Sequence, residues 1–172
     1  TTGDKLVGVG SYALTANTTG ANNTAIGADA LKANTTGANN VAVGLEALDA
    51  NTTGTLNTAI GSGSLGANAT TSYNVAVGAS ALGGCIADNN IAIGREAGAS
   101  ITTGTRNVVI GNTAYDASDT ENDNIAIGFA AMTTNTAGGT LNVAIGNYAL
   151  DALTSGDDNV ALGYGALTDN TT

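Results

Sequence analysis

The side chains able to do chemistry here are few: one cysteine, no histidine, four cations and fourteen carboxylates. Cys85 lies in a Gly-Gly-Cys-Ile turn with no base beside it to make a thiolate, so it reads as a small, inert, buried or half-buried thiol. Being the only cysteine, it cannot form a disulfide within the chain. The serines likewise have no nearby base. Asp116, Asp119, Glu121 and Asp123 crowd one connector and offer the hard oxygens that Ca²⁺ prefers. Their spacing matches neither an EF-hand nor a glycine-rich calcium repeat, so a solvated loop is the better reading. The Asp157-Asp158 pair reads the same way. Asn17, Asn34, Asn51 and Asn68 each begin an Asn-x-Thr triplet of the kind that accepts glycans, although turn chemistry explains them equally. Tyr12, Tyr148 and Tyr164 fall just past a recurring glycine, where they would pack on neighbouring units or offer stacking platforms to sugars. No catalytic residue, metal site or cofactor is expected.

Composition narrows the partners. The net charge is −10, which opposes nucleic acid and anionic membranes, since both need clustered cations. No apolar run is long enough to cross a bilayer. Hydrophobic residues make up 42% of the chain but aromatics only 3%, so a conventional core would lack filling volume. Scarce charge and abundant Thr and Asn suit an extracellular, cell-surface or virion protein. With neither an initiator Met nor a visible signal peptide, the 172 residues read as a single repetitive domain, a window of a longer fibre.

What must position these residues is a repeat. Ten glycines, Gly10, Gly27, Gly44, Gly61, Gly78, Gly94, Gly111, Gly128, Gly146 and Gly163, recur at steps of 16 to 18 residues, usually 17. Before each stands an aliphatic: Val9, Ile26, Val43, Ile60, Val77, Ile93, Ile110, Ile127, Ile145 and Leu162. Two residues further back a second column holds Val7, Thr24, Val41, Thr58, Val75, Ile91, Val108, Ile125, Val143 and Val160. Ala lies between the two in eight units, with Gly8 and Val109 the exceptions. Four before the glycine sits Asn23, Asn40, Asn57, Asn74, Asn90, Asn107, Asn124, Asn142 or Asn159. This alternation, β-branched on one side and small or amide on the other, predicts a strand. An x-x-Ala-Leu segment follows the glycine, then a polar connector, clearest as Asn-Thr-Thr-Gly.

A unit with one short strand cannot bury its own faces, so units must stack. The prediction is an all-β parallel β-solenoid of ten turns, adjacent turns about 4.8 Å apart and the rod on the order of 45–50 Å long. Aligned Asn side chains would form a hydrogen-bonded ladder. The glycines would make a corner that a Cβ obstructs, and the Leu column would close a second corner. A thin interior suits Ala, Asn and Gly, which turns the two aliphatic columns outward. Such a stripe cannot stay in water. It predicts a parallel homo-oligomer, most naturally of three chains, whose interface is the two columns (Thr24 and Thr58 apart). Val and Ile inside, with Ala outside, would instead permit a monomer.

The run Asn-x-Val-Ala-Ile-Gly resembles the head repeat of trimeric autotransporter adhesins, whose motif is close to N-S-V-A-I-G-x-x-S. The fuller unit, as at 22–37, is more similar to repeats of phage tail fibres and related surface proteins. The resemblance spans residues 1–172 and implies a left-handed, trimeric β-roll serving host or surface attachment, with a host-surface glycan or protein as receptor. The longer period and the Ala or Val replacing the motif's Ser leave adhesin and phage fibre both open. Two further readings are an ice-binding solenoid, which needs flat Thr ranks that the connectors supply only in part, and a filament of chains stacked end to end. An enzyme on a β-helix lacks its catalytic groups.

Overall fold

A computed structural model describes residues 2–117, 120–134 and 138–171. The chain is a β-solenoid. Its strands are β1 (Val7–Val9), β2 (Thr24–Ile26), β3 (Val41–Val43), β4 (Thr58–Ile60), β5 (Val75–Val77), β6 (Ile91–Ile93), β7 (Val108–Ile110), β8 (Ile125–Ile127), β9 (Val143–Ile145) and β10 (Val160–Leu162). All ten form one parallel sheet in sequence order, each pairing position for position with the next unit: Val41 on Thr58, Ala42 on Ala59, Val43 on Ile60. Hydrogen bonds run both ways along the stack. The Val41 N–H donates to the Asn57 carbonyl at 2.9 Å and the Gly44 N–H to the Ile26 carbonyl at 2.8 Å.

Strands this short project side chains alternately, and the sheet uses that simply. The middle residue of β2 to β10, Ala in all but β7 where it is Val109, points into the coil and is buried, while its two neighbours, aliphatic except Thr24 and Thr58, face out. At the end of the strand comes the corner. The ten recurring glycines have φ between +126° and +142°, a region closed to other residues.

Beyond the corner the backbone alternates in sign. Ala30 N–H donates to Gly27 O at 3.4 Å and Lys32 N–H to Asp29 O at 3.2 Å, making two successive turns whose third residues, Asp29 and Leu31, have φ of +59° and +48°. Gly or Asn is the usual occupant of such positions. Here the alternation lets adjacent Ala30 and Leu31 both turn inward. The Leu column, expected to close a corner, therefore fills the core: Leu31, Leu48, Leu65, Leu82, Tyr115, Met132 and Leu150 are among its largest fully buried side chains. Gly98 vacates this column, and the buried Ile101 occupies the space, 2.9 Å from where a Gly98 Cβ would stand.

The connectors hold a feature that reading the sequence for turns missed. Asn34, Asn51 and Asn68 are completely buried and Asn17 nearly so. They form an interior amide column, with Asn34 Nδ2 donating to Asn17 Oδ1 at 2.7 Å and Asn51 Nδ2 to Asn34 Oδ1 at 2.8 Å. The glycosylation reading of these triplets is corrected accordingly, because a buried amide has no room for a glycan. In later turns the same column holds Cys85, Ile101 and Leu153, all buried. The amide of Asn68, at the junction with Cys85, has no hydrogen-bond partner on either atom.

Candidate functional site

One surface stands out, the outer face of the sheet. All seventeen aliphatics of the expected interface lie on it, exposed or half-buried, and Val7 joins them. Ile26, Ile60, Ile91 and Ile93 keep 38% to 41% of their surface accessible despite stacked neighbours above and below. The face is two side chains wide and ten strands long, about 43 Å at the usual strand spacing. Only Thr24 and Thr58 interrupt it; both are half-buried, and neither hydroxyl makes a hydrogen bond to the described residues. Leu45, Leu56, Tyr73, Phe129 and Leu141 add exposed apolar area beyond the strands.

Behind this face the expected Asn ladder residues come together, in a geometry more useful than amide on amide. Each Oδ1 accepts the backbone N–H of the next Asn, as from Asn74 to Asn57 Oδ1 at 3.0 Å. Each Nδ2 reaches the next connector, as from Asn57 to the Thr71 carbonyl at 2.8 Å. One side chain thus satisfies two buried backbone groups that turn away from the sheet. The pattern holds from Asn23 through Asn142, with Asn23 Nδ2 on Gly37 O and Asn142 Nδ2 on Gly156 O. Half-buried Asn159 departs from it, its Nδ2 donating to Asn142 Oδ1 at 3.0 Å. In the Leu column Tyr115 reaches across to the same ladder, its hydroxyl oxygen accepting from Asn124 Nδ2 at 2.5 Å.

The reactive groups are scattered. Burial pushes the Cys85 thiol up, away from thiolate chemistry. Among the described residues, no three His, Cys, Asp or Glu side chains come together to hold a metal, and no pocket indents the surface. Asp119 lies outside the described residues. Glu121 is buried, accepting from Thr120 N–H and Gly138 N–H, each at 3.0 Å. Asp116 is held up by burial. Asp123 is held down by Arg106, which grips it through two hydrogen bonds of 2.6 Å. Asp157 is held down by the backbone N–H and hydroxyl of Thr140, at 2.7 and 3.0 Å.

These shifts fix how acid acts. Lowered Asp123 and Asp157 add stability above the ordinary carboxylate pKa, and lose it as pH falls through their folded values. Raised Asp116 works the other way, opposing folding at neutral pH and relaxing as it protonates. D123N should therefore melt below the wild type at pH 7, and the gap should close on acidification below the carboxylate range. Thermal melts of both chains at each pH measure it. Because the pair is exposed, a small gap is expected.

The tyrosines divide. Tyr148 packs edge-on between Phe129 and Tyr164, centroids 5.4 and 5.9 Å away, while Tyr12 sits 5.8 Å below the Lys32 ammonium. Of the two threonine ranks in the connectors, Thr19, Thr36 and Thr53 are exposed, and the other is engaged along the stack. The hydroxyls of Thr18, Thr35 and Thr52 donate to carbonyls one turn on, at 2.9 to 3.0 Å. Comparisons with protein-family models, with curated proteins and with solved structures return no match for this chain.

Proposed function

We propose that this chain is a rigid segment of an extracellular attachment fibre, of the phage tail-fibre or bacterial-adhesin kind, working as a parallel homotrimer around its aliphatic sheet face. The observation that carries the reading is the length of that face, which runs over all ten strands and is broken only at Thr24 and Thr58. Its side chains expose on the order of 1,000 Å² of apolar surface per chain, about 500 Å² toward each of two neighbours, which places each pairwise contact near the ~1,000 Å² total that a specific interface needs. A monomer leaving it in water would aggregate.

A second copy is the occupant the spacing favours, because the stripe repeats at the spacing of hydrogen-bonded strands, about 4.8 Å, and this chain itself carries a straight surface of that pitch. In a three-chain ring the column that holds Thr24 and Thr58 lies along the axis against its own copies, and the other column packs on the flank of one neighbour, a head-to-side contact that closes the ring. The remaining surface, acidic and poor in cations, faces outward, where receptor contacts would be made; the role is length and presentation rather than catalysis.

Sedimentation equilibrium tests the reading. A species near 50 kDa is expected, three times the 16.6 kDa chain. A monomer at micromolar concentration would overturn it. Ile93→Lys, on the open face of β6, should weaken association about 100-fold or more, since a buried unpaired ammonium costs several kcal/mol. Its circular dichroism should stay that of a β-solenoid, because position 93 lies outside the coil.

A further inference from the structure

We infer that Thr24 and Thr58 are direction keys of the assembled rod, forcing the chains to run parallel. The inference rests on the parallel-trimer reading and adds what holds its chains parallel. A smooth aliphatic stripe fixes how far two rods overlap, because every turn of slip uncovers a strand of each. It does not fix direction. A chain turned end for end covers the same area.

The stripe is not smooth. Its two hydroxyls sit on β2 and β4, both in the first half of the chain, and neither finds a partner within the described residues. In a parallel, unslipped trimer each hydroxyl meets two copies of itself at the same height, and three hydroxyls can each donate to the next around the axis. Reversing one chain maps β2 onto β9 and β4 onto β7. Thr24 then faces the layer of Val143, and Thr58 that of Val108, so each hydroxyl is buried against aliphatics with its hydrogen bonds unmade. A slip of two turns pairs Thr24 with Thr58 but leaves the other copies unmatched. Only the parallel, in-register arrangement satisfies both positions. A single polar residue sets register in coiled coils by the same logic.

Pulsed electron-spin distances test this in the intact chain, with a nitroxide on Thr2→Cys. Cys85 is buried and resists the label. In the otherwise wild-type trimer all distances should be short, with labels gathered at one end. T24V/T58V keeps shape and strand propensity, so it should fold and retain the trimer mass. About half its label pairs should move to a separation near the rod length, the value for chains that no longer distinguish directions. V108T/V143T keeps Thr24 and Thr58 but makes the stripe symmetric on reversal, and should scramble direction too. Wholly short distances in both variants would overturn the inference and leave the parallel-trimer reading standing, whereas mixed directions in the wild type would overturn both. A monomeric wild type would remove both.

Discussion

Gly94→Ala is expected to break the rod at its middle, lowering unfolding free energy by about 4 kcal/mol or more. Two separate costs meet there. The backbone is at φ +136°, where strain in a residue with a Cβ is about 1–3 kcal/mol. The new Cβ would also stand 2.5 Å from Gly111 O, 2.6 Å from its carbonyl carbon and 2.9 Å from Asn112 N. All three are backbone atoms, and Gly111 is pinned by its own N–H on the Ile93 carbonyl at 2.8 Å and by the Ala114 N–H on its carbonyl at 3.3 Å, so no flexible side chain can give way. Gly163→Ala separates the two costs. It has nearly the same torsion, φ +126°, but open space where its Cβ would go. Only the strain should appear, about 1–3 kcal/mol. Urea denaturation of the two variants gives both numbers, and equal losses would show that the stacking of corners contributes nothing.

The second large effect belongs to the amide ladder. Asn57→Leu should cost about 2–5 kcal/mol, because it orphans two buried backbone groups at about 1–3 kcal/mol each. These are the Asn74 N–H, which loses its acceptor at 3.0 Å, and the Thr71 carbonyl, which loses its donor at 2.8 Å. Asn22→Leu is the matched control. That exposed side chain makes one amide bond, of 3.1 Å, to Asn39, and Leu56 already occupies the same column with the same positive φ. A loss of about 1 kcal/mol is expected there, the strain of leucine at a left-handed φ of +58°. If both substitutions cost alike, the ladder is no more than a surface feature and its burial is irrelevant.

The period, the ten strands and the outward aliphatic columns are all legible in the residues. β-Branched side chains two apart, with Ala between them and Gly after, admit few folds. What hides is anything built on unusual torsions. Leu31 at φ +48° gives no local sign that it turns inward, because leucine seldom adopts that conformation. Columns read across turns do give one. Gly63, Gly98 and Gly165 appear at left-handed positions after the corner, and Asn22, Asn39 and Asn89 at the one before the ladder. Those are the residues that tolerate positive φ best.

The interior amides were obscured for a different reason. Asn at the head of Asn-Thr-Thr-Gly satisfies a turn as well as it satisfies a core, so its type does not discriminate. Its replacements do: Cys85, Ile101 and Leu153 in the same column are side chains that belong inside. Tyr115 in the Leu column similarly foretells spare volume, although its bond to Asn124 is visible only in three dimensions.

The strand ladder also bears on how the rod comes into being. Parallel sheets usually demand long crossovers, and that makes them slow to fold. Here β3 pairs with β4 across 17 residues, and every other pairing spans 16 to 18, in a chain of 172. The mean separation of contacts is therefore about one tenth of the length, a value typical of helical bundles rather than of all-β proteins. Once two turns have nucleated, each further turn closes a loop no longer than itself onto a finished edge. A ribosome delivering one unit at a time would meet a template already waiting, and the rod can lengthen without any distant part of the chain having to return.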